Sequence, residues 1–215
     1  MKLSPVQVTP QLEAYLQELI DPHDPVLQRL EAEIETGSVP GIGPLVGSLL
    51  ALMLRMNRCA DVLELGTALG YSSIWLGRGC SGRVVTLERD PAMAATARAN
   101  LKAAGLADRV SVVEEDALDF LAREGDPFDA VFNDLLTSFP DAATAEHCVR
   151  LSKARLRPRG LLLADNALRR GEVVRPHGRA ALNVDRYNRL LAADPDLEAV
   201  VVPMRDGVSI ARLRA

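Results

Sequence analysis

From Asp61 onward, short apolar runs alternate with stretches of helical spacing, and this alternation constrains the fold more than any other feature of the chain. The runs are DVLELG (61–66), RVVTLE (83–88), RVSVVEED (109–116), FDAVFND (128–134) and GLLLADN (160–166). Helical spacing fills 70–79, 91–105, 116–123 and 141–156 between them. Continuous β-branched or leucine-rich runs suit strands buried on both faces, and strands joined through helices form right-handed βαβ units in a parallel sheet. After a helix near 178–193, LEAVVVPM (197–204) and GVSIARL (207–213) meet through Pro203 and Asp206-Gly207, which predicts an antiparallel hairpin. The first sixty residues differ: PQLEAYLQELI, DPVLQRLEAEIETG with its stop at Gly37, and the more apolar GPLVGSLLALMLRMN all have helical spacing. The expected fold is α/β, a doubly wound and mostly parallel sheet of seven strands with an antiparallel edge hairpin and N-terminal helical additions.

At 215 residues the chain suits one domain with a core of its own. A net charge of -4 argues against a general binder of nucleic acid or anionic membrane. The opening MKLSPVQVTPQLEAYL lacks the apolar centre of a signal peptide, and GPLVGSLLALMLRM is too short to span a bilayer. A soluble, cytoplasmic protein is the expectation. Cys59, Cys80 and Cys148 are scattered and odd in number, which fits buried thiols better than disulfides or zinc.

In doubly wound sheets the ligand crevice lies at the carboxyl ends of the strands, so the residues at which each apolar run stops are the informative ones. The first run leads into LELGTALGYS, where Glu64 precedes Gly66, Thr67, Gly70, Tyr71 and Ser72. Glycines at 66 and 70 let a backbone approach a ligand where a Cβ would intrude. The G-x-G-x-x-G signature of dinucleotide sites is absent, since G-T-A-L-G lacks the middle glycine, and this weighs against a nicotinamide dehydrogenase. Glu88 ends the second run twenty-two residues after Gly66, where a carboxylate accepts ribose hydroxyls. Asp116 and Ala117 follow the third run, placed for an adenine edge and face. Together these describe a nucleoside site, and so many carboxylates tolerate a cationic sulfonium better than an anionic dinucleotide.

The fourth run ends in Asp134 and the fifth in Asp165-Asn166. On neighbouring strands these would converge as two carboxylates and an amide oxygen, a set suited to a hard divalent ion. An Asx turn at Asp165-Asn166 and a helix cap at Asp134 explain the same residues equally well.

LELGTALGYSS, VVTLERD, EEDAL, FDAVFND and GLLLADNALRRGEVV, in that order, resemble the class I S-adenosylmethionine-dependent O-methyltransferases of the caffeoyl-CoA and catechol O-methyltransferase type. The likeness runs over roughly residues 40–212 and includes the closing DGVSIARL. It implies a Rossmann-like sheet in a single methyltransferase domain over 1–215, with 1–60 a helical extension and 61–215 the cofactor- and metal-binding core. It implies S-adenosylmethionine contacts at Glu64, Gly66, Thr67, Ser72, Glu88, Asp116, Ala117 and Asp134. It also implies a divalent metal, Mg²⁺ before Ca²⁺ or Mn²⁺, on Asp134, Asp165 and Asn166. The implied acceptor is a small hydroxylated, catechol-like molecule, and the family's frequent dimerisation implies a homodimer through the N-terminal helices.

The departures from that family lie together. Where it continues after the fourth-strand aspartate as Asp-Ala-Asp-Lys with a tyrosine three further on, this chain has Asp134-Leu135-Leu136-Thr137 and then Pro140. The lysine, a general base or charge partner in the family, is replaced by Thr137, so no protein base is assigned and Asp134 would act only through the metal. Arg169-Arg170 before Gly171 suggest an anionic acceptor, with a solvated loop as the simpler explanation, and His177 belongs to the same segment. Two other readings remain open: methylation of a hydroxylated tRNA nucleoside, disfavoured by the acidity of the chain, and an S-adenosylmethionine-binding protein with impaired catalysis.

Overall fold

A computed structural model describes residues 7–20, 24–37 and 39–214; the first six residues of the opening segment lie outside them. Three helices come first: α1 (Pro10–Glu18), α2 (Pro25–Glu35) and α3 (Gly43–Met56). Then follow β1 (Asp61–Leu65), α4 (Tyr71–Gly79), β2 (Arg83–Glu88), α5 (Pro91–Ala103), β3 (Val110–Glu114), α6 (Ala117–Ala122), β4 (Phe128–Asn133), α7 (Ala142–Ala154) and β5 (Leu156–Ala164). A 3₁₀ segment, Arg169–Val174, leads to α8 (Arg179–Ala193), β6 (Leu197–Val202) and β7 (Val208–Leu213).

The seven strands form one sheet in the order β3-β2-β1-β4-β5-β7-β6. β1 to β5 pair in parallel, whereas β7 lies antiparallel to both β5 and β6. Winding reverses between β1 and β4, the switch point at which such sheets open a crevice. Because β7 runs against its neighbours, the turn before it emerges at the same sheet edge as the carboxyl ends of β4 and β5, with Ser209 opposite Ala164.

Local chemistry sets the helix starts. Asp24, Asp90, Asp116 and Asp141 each cap a helix by accepting backbone N–H bonds from its first turn. Double-sided burial holds for β1 and β4, where Val62, Leu63, Leu65, Ala130, Val131 and Phe132 are all inaccessible. It fails at β3, an edge strand with Ser111 and Glu114 exposed, because only its inner neighbour β2 covers it.

Two boundaries differ from the sequence expectation. The helix expected over 141–156 stops at Ala154, and the fifth strand starts at Leu156, not Gly160. Leu156 pairs with Phe128, and the register then shifts before Leu161 meets Ala130. Arg159 takes a positive φ of 66° in this bulge. Tertiary pairing thus overrides the helical spacing of the leucines.

The N-terminal helices pack on the sheet side that carries α4. Leu27, Leu30, Val46, Leu50 and Leu54 are buried in the same cluster as Val62 and Ile74. Polar bonds fix their placement: Asp24 pairs with Arg78, Glu31 accepts from the Tyr71 hydroxyl at 2.6 Å, and Arg29 donates to Asn100 at 2.7 Å. α1 buries no residue; Tyr15, its C-cap Leu19, and Leu52 and Met56 of α3 are exposed. Among the described residues no helix is long and apolar enough to cross a membrane. All three cysteines are free and buried.

Candidate active site

At the carboxyl edge of the sheet, a cavity of about 480 Å³ opens between β1, β2 and the loops after β3 and β4. Gly66, Glu88, Asp116 and Ala117 all line it, so four of the residues expected at a nucleoside site share one wall. Gly66 has φ 96°, and a Cβ there would come within 2.9 Å of the Leu135 side chain. A glycine is therefore required for both conformation and space. Glu88 is held in place: its two oxygens accept from the backbone N–H groups of Ala68 and Asp90, each at 3.0 Å. Carboxylate oxygens keep further lone pairs, so the group still has acceptor capacity for a diol. Asp116 uses one oxygen to cap α6, accepting from Leu118 N at 2.8 Å.

Beneath this wall lies a buried polar layer. Glu64 is inaccessible and accepts from the Ser73 hydroxyl, while its Oε1 has no hydrogen-bond partner. Burial pushes its carboxyl up to about 7, against the opposing pull of the Ser72, Ser73 and Thr86 hydroxyls. Thr67 and Ser72 are also buried, and the Thr67 hydroxyl bonds Thr86 at 2.6 Å. The side chains of Glu64, Thr67 and Ser72 thus lie behind the cavity rather than on its wall; Ser73, a neighbour the sequence reading passed over, makes the shortest contact to Glu64.

The second group lies across the switch point. Asp134 follows β4, with its backbone N–H on Leu65 O at 3.0 Å, and Asp165 follows β5, with its N–H on Asn133 O at 3.3 Å. The two carboxyls interact: burial, then the charges of Asp165 and Glu64, push Asp134 well above the ordinary carboxylate range. Burial also raises Asp165 to about 6, with the Asn166 backbone N–H and Arg205 pulling down and Asp206 pushing up. Asp165 Oδ1 is buried without a hydrogen-bond partner, and Oδ2 accepts from the Asn166 amide at 3.2 Å. Asn166 takes φ 59°, a left-handed conformation that asparagine tolerates. Among the described residues no group of three or more His, Cys, Asp or Glu side chains is arranged around a common ion position. A divalent ion here would need the amide oxygen of Asn166 or oxygens from outside the protein. The donor chemistry fits such an ion: an orphaned buried carboxylate oxygen, a like-charged neighbour and an amide.

The segment after Asp134 is apolar. Leu136 and Phe139 are buried, Leu135 reaches over Gly66, and Thr137 is partly exposed. Leu135 and Phe139 line the cavity, a role that their place in an unfamiliar LLTSFP segment did not signal. The rim residues separate. Arg169 lies 3.6 Å from Glu172, Arg170 is exposed, and the exposed His177 ring contacts Arg175 O at 3.0 Å. Arg205, unremarked in the sequence, comes from the turn before β7 and acts electrostatically on Asp165.

The sequence model of the O-methyltransferase family matches residues 23–214. A catechol O-methyltransferase of Niastella koreensis is 32% identical over 95% of this chain and 97% of its own length. One from Mycobacterium tuberculosis is 36% identical over 90% of this chain and 88% of its own. An O-methyltransferase of Bacillus cereus, solved in complex with SAH, superposes with a TM-score of 0.84 at 30% identity, covering 95% of this chain and 97% of that one. A shared fold and sequence likeness over nearly the whole chain lead to one conclusion: the chain belongs to the O-methyltransferase family.

Proposed function

We propose that this S-adenosylmethionine-dependent O-methyltransferase acts on a hydroxyl of a small catechol-like acceptor and uses a divalent metal, Mg²⁺ by preference, held by Asp134, Asp165 and Asn166. The observation that carries the metal is the orphaned Oδ1 of the buried Asp165 beside the partly buried Asp134, two like charges that call for a cation. Such an ion, when bound, neutralises both carboxylates and lowers the pKa of a neighbouring hydroxyl. S-adenosylmethionine, when bound, supplies the methyl group, and the catechol O-methyltransferase relatives support the acceptor class.

In this reading Glu88 receives the ribose, Asp116 and Ala117 flank the adenine, and Gly66 leaves room for the backbone to approach. Glu64, Thr67 and Ser72 shape the wall from behind, and Asp134 faces both the cofactor and the metal. Leu135 and Phe139 exclude water from the reacting end. Titration calorimetry with S-adenosylmethionine, followed by methyl-transfer assays on catechol with Mg²⁺ or with chelator, tests the whole assignment. Tight cofactor binding without turnover of any catechol would favour a binding protein instead.

Thr137, at the family's lysine position, cannot act as a base at neutral pH. Thr137→Lys restores the family's residue at a partly exposed position. It should raise kcat near pH 7.5 by about 100-fold, the lower end of what a positioned base contributes. An unchanged or lower kcat in a variant of unaltered melting temperature would show that proton removal does not limit this enzyme.

Tyr15 and Leu19, at α1 and its C-cap, and Leu52 and Met56 of α3 are exposed large apolar side chains, and we assign a homodimer contact to these N-terminal helices. Sedimentation should give twice the chain mass, and Leu19→Glu with Met56→Glu should halve it; a monomeric parent protein would remove the assignment.

A further inference from the structure

A cation from the far end of the chain, Arg205, acts on Asp165. The turn before β7 and the loop after β5 interlock: Ala167 N donates to Gly207 O at 2.9 Å, Leu168 N to Asp206 O at 2.8 Å, and Arg170 N to the Asp206 carboxylate. Arg205 projects from this turn with φ 50°. Its Nη1 donates to Ile42 O at 2.5 Å and to Gly41 O at 3.5 Å, and its Nε lies 3.5 Å from Glu13. The chain leaves space for it, because a Cβ at Gly43 would strike Nη1. The side chain is 36% exposed, so its guanidinium is positioned yet reachable.

We propose that Arg205 is a specificity-determining residue that receives a carboxylate on the acceptor, at the ring edge remote from the reacting hydroxyl; this rests on the catechol-type reading above. Sheet order carries the argument. The cofactor cavity lies over β1, β2 and β3, Asp134 and Asp165 lie at the ends of β4 and β5, and the next element in the same direction is β7 with its preceding turn. In this proposal an acceptor whose reacting oxygen faces the cofactor at Asp134 and Asp165 extends its remaining substituents along the sheet edge towards Arg205. A carboxylate there pairs with the planar guanidinium through charge-assisted hydrogen bonds, which a neutral substituent does not. Arg169, 3.6 Å from Glu172, and the exposed Arg170 come from the loop after β5, whereas Arg205 is the arginine whose charge acts on Asp165.

The competing role for Arg205 is a clamp on the Gly41 and Ile42 carbonyls, and a clamp does not read acceptor charge. The test uses 3,4-dihydroxybenzoate and its neutral amide as acceptors with the parent enzyme, Arg205→Gln and Arg205→Lys. The parent should show a KM for the acid about tenfold or more below that for the amide. Arg205→Gln should erase that acid-over-amide preference, read as the ratio of the two KM values within each variant, and Arg205→Lys should restore part of it. Equal losses for acid and amide, or no loss for the acid, would overturn the proposal. Calorimetric binding of both compounds with S-adenosylhomocysteine and Mg²⁺ separates it from the reading it rests on. An acid bound through Arg205 but never methylated overturns the catechol-type reading alone; equal binding of acid and amide, with either methylated, overturns the Arg205 assignment alone; no binding of either overturns both.

Discussion

Asp165→Ala should lower metal-dependent methyl transfer by at least about 100-fold, the loss already typical of residues that merely support a metal ligand, while stabilising the metal-free protein at neutral pH. The two effects share one cause. Burial above all raises the Asp165 carboxyl from 3.8 to about 6, so the folded chain holds this proton more tightly than the unfolded chain does. Below about pH 4 both states are protonated and the site costs nothing; as pH rises through 6 the folded state must carry a buried charge. At about 1.4 kcal/mol per pKa unit, the penalty above pH 6 is on the order of 3 kcal/mol. Asp134, raised by burial and then by the charges of Asp165 and Glu64, acts with the same sign. The melting temperature of the metal-free protein should therefore fall between pH 4 and pH 8. Mg²⁺ should raise it strongly at pH 8 and weakly at pH 5. In Asp165→Ala the fall should be shallower and the Mg²⁺ response lost. Calorimetric melts with chelator or Mg²⁺ at both pH values, run beside the methyl-transfer assay, check this. A variant that kept its Mg²⁺-dependent rise and its turnover would remove the metal assignment.

Glu88→Gln should weaken S-adenosylmethionine binding by about 10- to 100-fold, the range for losing one or two hydrogen bonds to a charged acceptor. The carboxylate is anchored by Ala68 N and Asp90 N on its two oxygens, so its orientation is fixed before any ligand arrives. Glutamine keeps the size and one acceptor oxygen but presents an NH₂ group where the other oxygen accepts, and that leaves a donor facing a donor. Glu88→Ala is the less clean experiment, since it also strips the turn at Ala68, which has φ 47°. Binding is read by calorimetry and turnover is not required. An unaltered Kd in a variant with an unaltered melting temperature would place the ribose elsewhere.

Much of this protein was legible in advance because its strands are local signals. A run such as Ala130-Val131-Phe132 has one physical explanation, burial on both faces, and a strand end followed by glycine or an acid marks the crevice whatever the neighbours are. Gly66, Glu88, Asp116 and Ala117 were found for that reason and do share a cavity wall. The Asp134–Asp165 encounter was also legible, since consecutive parallel strands pair and β4 pairs with β5. Side-chain direction was not. Thr67 and Ser72 lie behind the wall, because in a tight turn the direction of a hydroxyl depends on which strand, here Thr86 of β2, is close enough to bond it.

What the amino-acid sequence determined by itself was the set of elements, the carboxyl-edge position of the site and the chemical character of its two halves, all consequences of hydrophobic period and of residue type at strand ends. What only the tertiary structure decided was which distant groups complete it. β7 inserts between β5 and β6 and runs antiparallel, so the turn that precedes it lies beside Asp165 although forty residues separate Arg205 from that carboxylate. No periodicity encodes that neighbourhood. It exists because sheet pairing, not chain order, sets which loops share an edge.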